Sequence, residues 1–266
     1  MKTLLTCIGF FLSFNCIGQI YSEHDFTQYP IPIVNSDAWY KLDTLKMVFN
    51  VSIVEGHLRI EKKDQMLSAK EYSFAQGKLL ALDFGEWGGG LYYKADHTLK
   101  QTFVVNGESV STNNRLENYS FILRKNPVLT QIQGKHLLLA PGNTAAVVPY
   151  KGKWLFIQGS HIDPNHGSLS QLVVQKDSFT VTEILKLDAY ALAITVYDDE
   201  IYIATFDGLY GIKNGKTELF LTDLFWKGLY PNSIAIDGHN IYVGMRAGYA
   251  QIDKTKMDVR FYKYGK

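Results

Sequence analysis

The chain has 266 residues, is 46% hydrophobic and 14% aromatic, and carries 27 Lys and Arg against 26 Asp and Glu. That length can bury a sizeable core in one domain. A balanced charge without a Lys/Arg run excludes nucleic acid and an anionic membrane surface as expected partners.

In chain order, Lys2 comes first, then an apolar run over 3–14, then Cys16-Ile17-Gly18, with small residues where a signal peptidase reads. The pattern predicts a secretory signal over 1–18, cut before Gln19, because the run is about 12 residues and a membrane span needs about 20. A lipid anchor on Cys16 fits less well, since Ser13-Phe14-Asn15 is a poor approach to it. Cys7 and Cys16 are the chain's 2 cysteines and both lie in this leader, so the mature protein has no disulfide and depends on its core. Removing Lys2 also leaves the mature chain formally neutral. The expectation is a periplasmic or secreted protein, one domain over 19–266, with no membrane insertion after cleavage.

Strand character begins over 45–62 and becomes regular from 71 onward. The copy at 71–106 predicts strands over 72–76, 78–84, 91–94 and 102–105. A weaker stretch follows over 116–139. The copy at 144–187 predicts 145–150, 153–158, 168–175 and 180–185; the copy at 189–221 predicts 192–197, 200–206, 208–213 and 217–221; the copy at 233–264 predicts 233–237, 240–244, 249–253 and 258–262. The runs alternate, are rich in β-branched and aromatic residues, and are separated by turn pairs such as Asn214-Gly215 and Asp237-Gly238. No long amphipathic helix interrupts them, and 219–227 reads as an outer strand plus the crossing to the next copy.

The copies align on Gly90, Gly167, Gly208 and Gly248, spaced about 40 residues apart over the last three and close to two such periods between Gly90 and Gly167. Four short strands per period predict an all-β fold, a β-propeller of five or six four-stranded antiparallel blades. In such a blade the loops between the second and third strands share one face of the ring with the crossings between blades. The first-to-second-strand turns, at 76–77, 151–153, 198–199 and 237–239, are minimal. The second-to-third-strand loops are richer, and they bring Asp83, Glu86, Trp87, His161, Asp163, His166, Asp207 and Arg246 to one face as candidate ligand-binding residues.

Within that set, Gly85-Glu86-Trp87-Gly88-Gly89-Gly90 is the most distinctive run. Successive glycines are entropically costly and mark positive φ or close approach by another group. One reading is a bulged turn with Trp87 packed on a neighbour; the other sets Glu86 at the channel mouth with Trp87 as a stacking platform for a sugar or other ring. The stretch LDFGEWGGGLYY, with a Gly-Ser-His run about 70 residues on, resembles a group of uncharacterised secreted bacterial proteins with propeller-like folds. The resemblance implies a fold and brings no activity with it.

His161-x-Asp163-x-x-His166 has residue types that metals take, yet a zinc site needs a further donor and no second ligand pair is visible, so hydrogen-bonded loop residues are the alternative. We expect no resident metal and no cofactor. Asp83, Glu86, Asp163 and Asp207 have the composition of an acid–base pair of the glycosidase kind, against the reading that they merely solvate a channel. Arg246 suits either a clamp on a carboxylate or phosphate or a strand-end salt bridge. Nucleophile elbows, P-loops, zinc-protease helices and dinucleotide fingerprints are absent from the sequence. The residues thus point to an exported protein that binds a small molecule, glycan or protein. An envelope hydrolase or lyase on the same face, or an inhibitor of a secreted enzyme, are the alternatives.

Overall fold

Short alternating runs punctuated by Gly, Asn and Asp fold as hairpins, and hairpins dominate the chain. The structure, a computed structural model, describes residues 19–63, 68–74, 77–95, 102–111, 136–160, 163–175 and 178–265, and over them the protein is all-β. The strands, in chain order, are β1 (Ile20–Tyr21), β2 (Phe26–Tyr29), β3 (Val48–Val54), β4 (His57–Lys63), β5 (Ser68–Phe74), β6 (Gly77–Asp83), β7 (Gly89–Ala95), β8 (Thr102–Val105), β9 (Glu108–Ser111) and β10 (Leu137–Pro141). They continue as β11 (Asn143–Tyr150), β12 (Lys153–Gly159), β13 (Gly167–Gln175), β14 (Ser178–Leu187), β15 (Ala191–Tyr197), β16 (Glu200–Thr205), β17 (Leu209–Lys213), β18 (Lys216–Leu221), β19 (Ser233–Asp237), β20 (Asn240–Met245), β21 (Gly248–Asp253) and β22 (Asp258–Tyr264).

These strands form five sheets among the described residues. Their strand orders are β1-β4-β3, β10-β7-β6-β5, β11-β12-β13-β14-β8-β9, β15-β16-β17-β18 and β19-β20-β21-β22-β2. Pairing is antiparallel throughout except for β14 on β8. The tight turns have the expected chemistry: Glu55-Gly56, Lys151-Gly152 and Asn214-Gly215 hold both central residues at positive φ, the geometry that matches the twist of a two-residue hairpin.

Three of the predicted copies fold as three successive sheets, with Gly167 and Gly248 opening the third strand and Gly208 immediately before it. A common steric reason explains the recurring glycine. A Cβ at Gly167, Gly208 or Gly248 would lie 2.3, 2.7 or 1.9 Å from the carbonyl oxygen of Ala189, Leu221 or Tyr262, where the chain runs at or just past the end of the fourth strand. No side chain fits there.

The copy at 71–106 needs a correction. Its first strand starts earlier, at Ser68, and its fourth strand is β10, not 102–105. Leu137, Leu139 and Ala140 supply the apolar surface that the open edge and the neighbouring core require, whereas β8 hairpins with β9 and adds to the outer edge of β14. Of the weak stretch 116–139, residues 116–135 lie outside the described residues and 137–139 enter β10. The 45–62 stretch forms β3 and β4, with β1 on their edge.

Cores lie between consecutive sheets, which is why central strands such as β16 are buried on both faces. Leu79, Leu91 and Leu137 of the second sheet meet Val147, Phe156 and Leu172 of the third. Leu155 and Ile157 of the third meet Ile194 and Ile203 of the fourth. Tyr202 and Ala204 of the fourth meet Ile234 and Val243 of the fifth, and Ala235 and Tyr249 of the fifth meet Phe49, Val51 and Ile60 of the first. The sheets therefore stack in the series second, third, fourth, fifth, first. One helix lies outside that scheme and has no counterpart in the sequence expectation: α1 (Asp37–Asp43), capped by Ser36, whose hydroxyl accepts from Trp39 N–H at 3.3 Å. Its Trp39 indole N–H donates to the Phe225 carbonyl at 3.0 Å, fixing the helix to the crossing before β19. No helix among the described residues is long and apolar enough to cross a membrane.

Candidate functional site

At one end of the sheets, the loops between second and third strands meet the crossings between sheets, and hydrogen bonds and ring contacts join them in sequence. The loop after β6 begins at Asp83, whose carboxylate accepts from the Gly85 N–H at 3.0 Å and from the Tyr190 hydroxyl. Tyr190 lies in the crossing after β14, and its N–H donates to Pro164 O and its carbonyl accepts from Phe206 N–H, each at 2.8 Å. Asp207 O accepts from Leu224 N–H at 2.8 Å, and the Phe206 ring lies 6.3 Å from that of Tyr230. The Arg246 guanidinium sits 5.0 Å over the Tyr230 ring and donates to the carboxylate and the carbonyl of Asp43. Loops that are far apart in sequence thus form one continuous surface.

The candidate residues differ sharply within it. Asp83 is 8% exposed, and both of its oxygens accept hydrogen bonds. Glu86 is exposed on a short 3₁₀ turn, Gly85–Trp87. His161 and the Trp87 side chain lie outside the described residues. Asp163 and His166 are both exposed and pair with each other, His166 Nδ1 to Asp163 Oδ2 at 2.6 Å, while Asp163 Oδ1 accepts from Asn165 N–H at 3.3 Å. Among the described residues no cluster of three or more His, Cys, Asp or Glu has metal-holding geometry. Asp207 is half-buried. Arg246 is tied to Asp43 and Tyr230, so the structure pairs it as a salt bridge, with a partner from α1.

The glycine run has a structural cause of its own. Gly88 holds a φ of +86°, and a Cβ at Gly89 would lie 2.1 Å from Leu82 O. The turn closes through Phe84 N–H on Gly88 O at 2.9 Å and is braced by Asn143, whose Nδ2 donates to Gly85 O at 2.7 Å. Positive φ at Gly88 and the close approach of the Leu82 carbonyl to Gly89 account for these two glycines, while the β6–β7 register runs on to Asp83 and Gly89 without a shift.

Sequence reasoning does not single out three further residues whose ionisation the fold shifts, Tyr190, Lys63 and Lys70. Tyr190 is raised well above the ordinary tyrosine range by burial, by the Asp83 charge and by the hydrogen bond to it. Lys63, at the end of β4, and Lys70, on β5, are both lowered mainly by burial. Lys70 falls to about 8, with the Lys63 charge pushing it further down and Asp83 opposing. Lys63 sits beside the weak 45–62 stretch and Tyr190 in a three-residue crossing, and neither setting gives a sequence signal.

No family model matches the chain, and no curated protein matches it. Among solved structures it is similar to the tricorn protease (11% identity, TM-score 0.37, covering 82% of this chain and 26% of that one). It is similar also to the extracellular domain of a one-component system from B. thetaiotaomicron (10%, TM-score 0.40, 80% and 30%) and to AztD from Citrobacter koseri (14%, TM-score 0.34, 74% and 59%). The chain spans less than two thirds of each. Likenesses this distant assign no role to any residue here.

Proposed function

We propose that the protein is an exported binding protein, a five-bladed propeller whose ligand or partner docks on the end where Asp83, Glu86, Asp207 and Arg246 gather. Ring closure is the reading that the stacking series of the five sheets supports. Export rests on the leader pattern over 1–18.

The observation that carries the binding reading is the run of contacts from Gly85 to Arg246, by hydrogen bonds through Asp83 and Tyr190 to Phe206 and by ring contacts through Tyr230 to Arg246. Prearranged polar groups converging at one end of a rigid scaffold are how concave sites obtain orientation and specificity. Binding is favoured over hydrolysis because two of the four candidate carboxylates are already engaged, Asp83 accepting from Tyr190 and Gly85 and Asp163 pairing with His166.

A thermal-shift screen of the mature protein against saccharides, amino acids and small organic acids tests the reading. It expects a stabilising compound whose effect disappears in Glu86→Ala or Asp207→Ala and persists in Lys151→Ala, at the opposite hairpin end. Stabilisation abolished by Lys151→Ala and untouched by the other two would sink it.

A further inference from the structure

Between the third and fourth sheets, at the hairpin end opposite the loops described above, the packing opens into a cavity of about 210 Å³. Every residue lining it is among the described residues. Its wall is hydrocarbon, with Leu155, Leu169 and Leu185 from the third sheet facing Ile201 and Ile212 from the fourth. Leu169 and Leu185 are a cross-strand pair, as are Ile201 and Ile212. Register on β14 shifts between Leu185 and Glu183, which leaves Ile184 as the extra residue of a bulge. Ile184 also lines the cavity and is 46% exposed, an apolar side chain at the edge of the opening.

The mouth is polar. Side chains alternate along β12, so Lys153 shares with Leu155 the face that meets the fourth sheet. Gln171 is the cross-strand partner of Leu155 and shares that face. Neither the Lys153 ammonium nor the Gln171 amide has an ion-pair or side-chain hydrogen-bond partner among the described residues. The neighbouring cation is already matched: Lys151 Nζ lies 3.4 Å from Asp199 Oδ2, and the Tyr150 hydroxyl donates to Asp199 O at 3.1 Å. These contacts brace the mouth by tying the turn after β11 to the turn after β15. Acids on the strands that line the cavity face elsewhere. Glu183 pairs with Ser170, on the opposite face of β13 from Leu169 and Gln171, and Glu200 shares with Tyr202 the face of β16 that meets the fifth sheet. Lys153 is thus an uncompensated charge at the rim of an apolar cavity.

We propose that this cavity is a second binding site, separate from the loop end, and that it takes a monocarboxylate with a hydrocarbon tail. The tail lies between Leu155 and Leu169 on one side and Ile201 and Ile212 on the other, and the carboxylate accepts from the Lys153 ammonium and the Gln171 amide. An apolar cavity of roughly 150 Å³ takes up benzene, so this one has room for a chain of about eight carbons. Removing the tail from water supplies affinity, and the charge-assisted contact at the mouth fixes orientation.

Titration calorimetry with octanoate, acetate and octanol at neutral pH tests both halves of the ligand. Octanoate should bind with a negative heat-capacity change, acetate should not bind, and octanol should bind about tenfold more weakly for want of the charge. Lys153→Met should bring octanoate down to the octanol level and leave octanol unchanged. Ile184→Trp, at a bulge half open to solvent, should fill the opening and block both. Amine acylation of the wild-type protein, mapped by mass spectrometry, needs no variant to fold: octanoate should slow modification of Lys153 and leave Lys256, in the turn between β21 and β22, unchanged. No octanoate binding, or equal binding of octanoate and octanol, overturns the inference, as does octanoate bound with Lys153 neither required nor protected. Octanoate lost in Glu86→Ala and kept in Lys153→Met would place it on the loop end and overturn the cavity assignment. The loop-end reading stands or falls separately, because Glu86→Ala and Asp207→Ala should leave octanoate binding unchanged.

Discussion

Arg246 donates from its guanidinium to both the carboxylate and the backbone carbonyl of Asp43, a residue 203 positions earlier in the chain. The contact clamps α1 to the loop between β20 and β21, and Ala247 N–H reinforces it on Met47 O at 2.9 Å. With β2 added to the edge of β22, the amino-terminal segment is stitched to the last sheet at two places.

Asp43→Ala leaves a guanidinium whose side chain is only 13% exposed without its carboxylate. A cost of about 2–3 kcal/mol is expected, since stranding a partly buried charge is worse than never having it. For a domain of this size that lowers the thermal midpoint by roughly 4–12 °C. Arg246→Met, which removes the charge and keeps much of the stem, should cost less, and a double-mutant cycle should return a coupling of about 1–2 kcal/mol. Additive effects of the two substitutions in urea unfolding would show that the contact contributes nothing.

Replacing the recurring glycines should be severe, in an order set by the available space. Gly248→Ala drives a Cβ to 1.9 Å from Tyr262 O, and Gly208→Ala to 2.7 Å from Leu221 O, both backbone atoms held by strand pairing. Gly248→Ala is expected to abolish folding or cost more than about 4 kcal/mol, with Gly208→Ala below it. Gly238→Ala, in an open turn with nothing near, pays only for its positive φ, about 1 kcal/mol. Circular dichroism melts of the three variants rank them directly.

Those glycines also explain how much of the fold is legible in the sequence. Gly167, Gly208 and Gly248 recur because each marks the same backbone crossing, and the hairpin pairs between them announce two-residue turns, so the last three sheets can be drawn strand by strand. The second sheet resists because its fourth strand, β10, reaches β7 across the whole of 96–136, and a nearer run at 102–105 offers a plausible but wrong partner. α1 has seven residues, too few for helical periodicity to emerge. Loop position in the repeat brings Asp83 and Arg246 to one end of the sheets but does not give their partners. Tyr190 and Asp43 act through contacts 107 and 203 residues away, which local pattern cannot encode.

Tyr190→Phe should destabilise the protein by about 1–3 kcal/mol, because the buried Asp83 carboxylate loses a donor that no water replaces at the same place. The wild-type tyrosine should also resist ionisation. Its raised pKa, shared in direction by Tyr202 and Tyr249, means that the folded state keeps protons which the unfolded chain gives up near pH 10. The stability from these groups is complete below that pH and lost as pH rises above it. Absorbance at 295 nm should therefore show phenolate from these residues only together with unfolding. A titration that ionised every tyrosine reversibly near pH 10 in the folded protein would refute this.

Lys70 gives the opposite sign in the adjoining window. Its folded pKa is depressed from an ordinary 10.5 to about 8, by burial first and then by the Lys63 charge. Below about pH 8 the lysine is charged in both states and the full penalty of burying that charge is present. Between about 8 and 10.5 the folded state releases its proton while the unfolded chain retains it, so the unfolded state binds more protons and stability rises with pH. The gain is at most about 3 kcal/mol, since one proton exchanged across one pH unit is worth about 1.36 kcal/mol, and the tyrosines oppose it from about pH 10 upward. Urea midpoints of the wild-type protein should thus increase from about pH 7.5 to a maximum near pH 9.5 and then fall. In Lys70→Met the rise should be absent and the alkaline fall retained, because the methionine removes the proton exchange and leaves Tyr190, Tyr202 and Tyr249 in place. A wild-type midpoint that declines steadily through this range, with the variant running parallel to it, would show that Lys70 is charged and solvated in the folded protein.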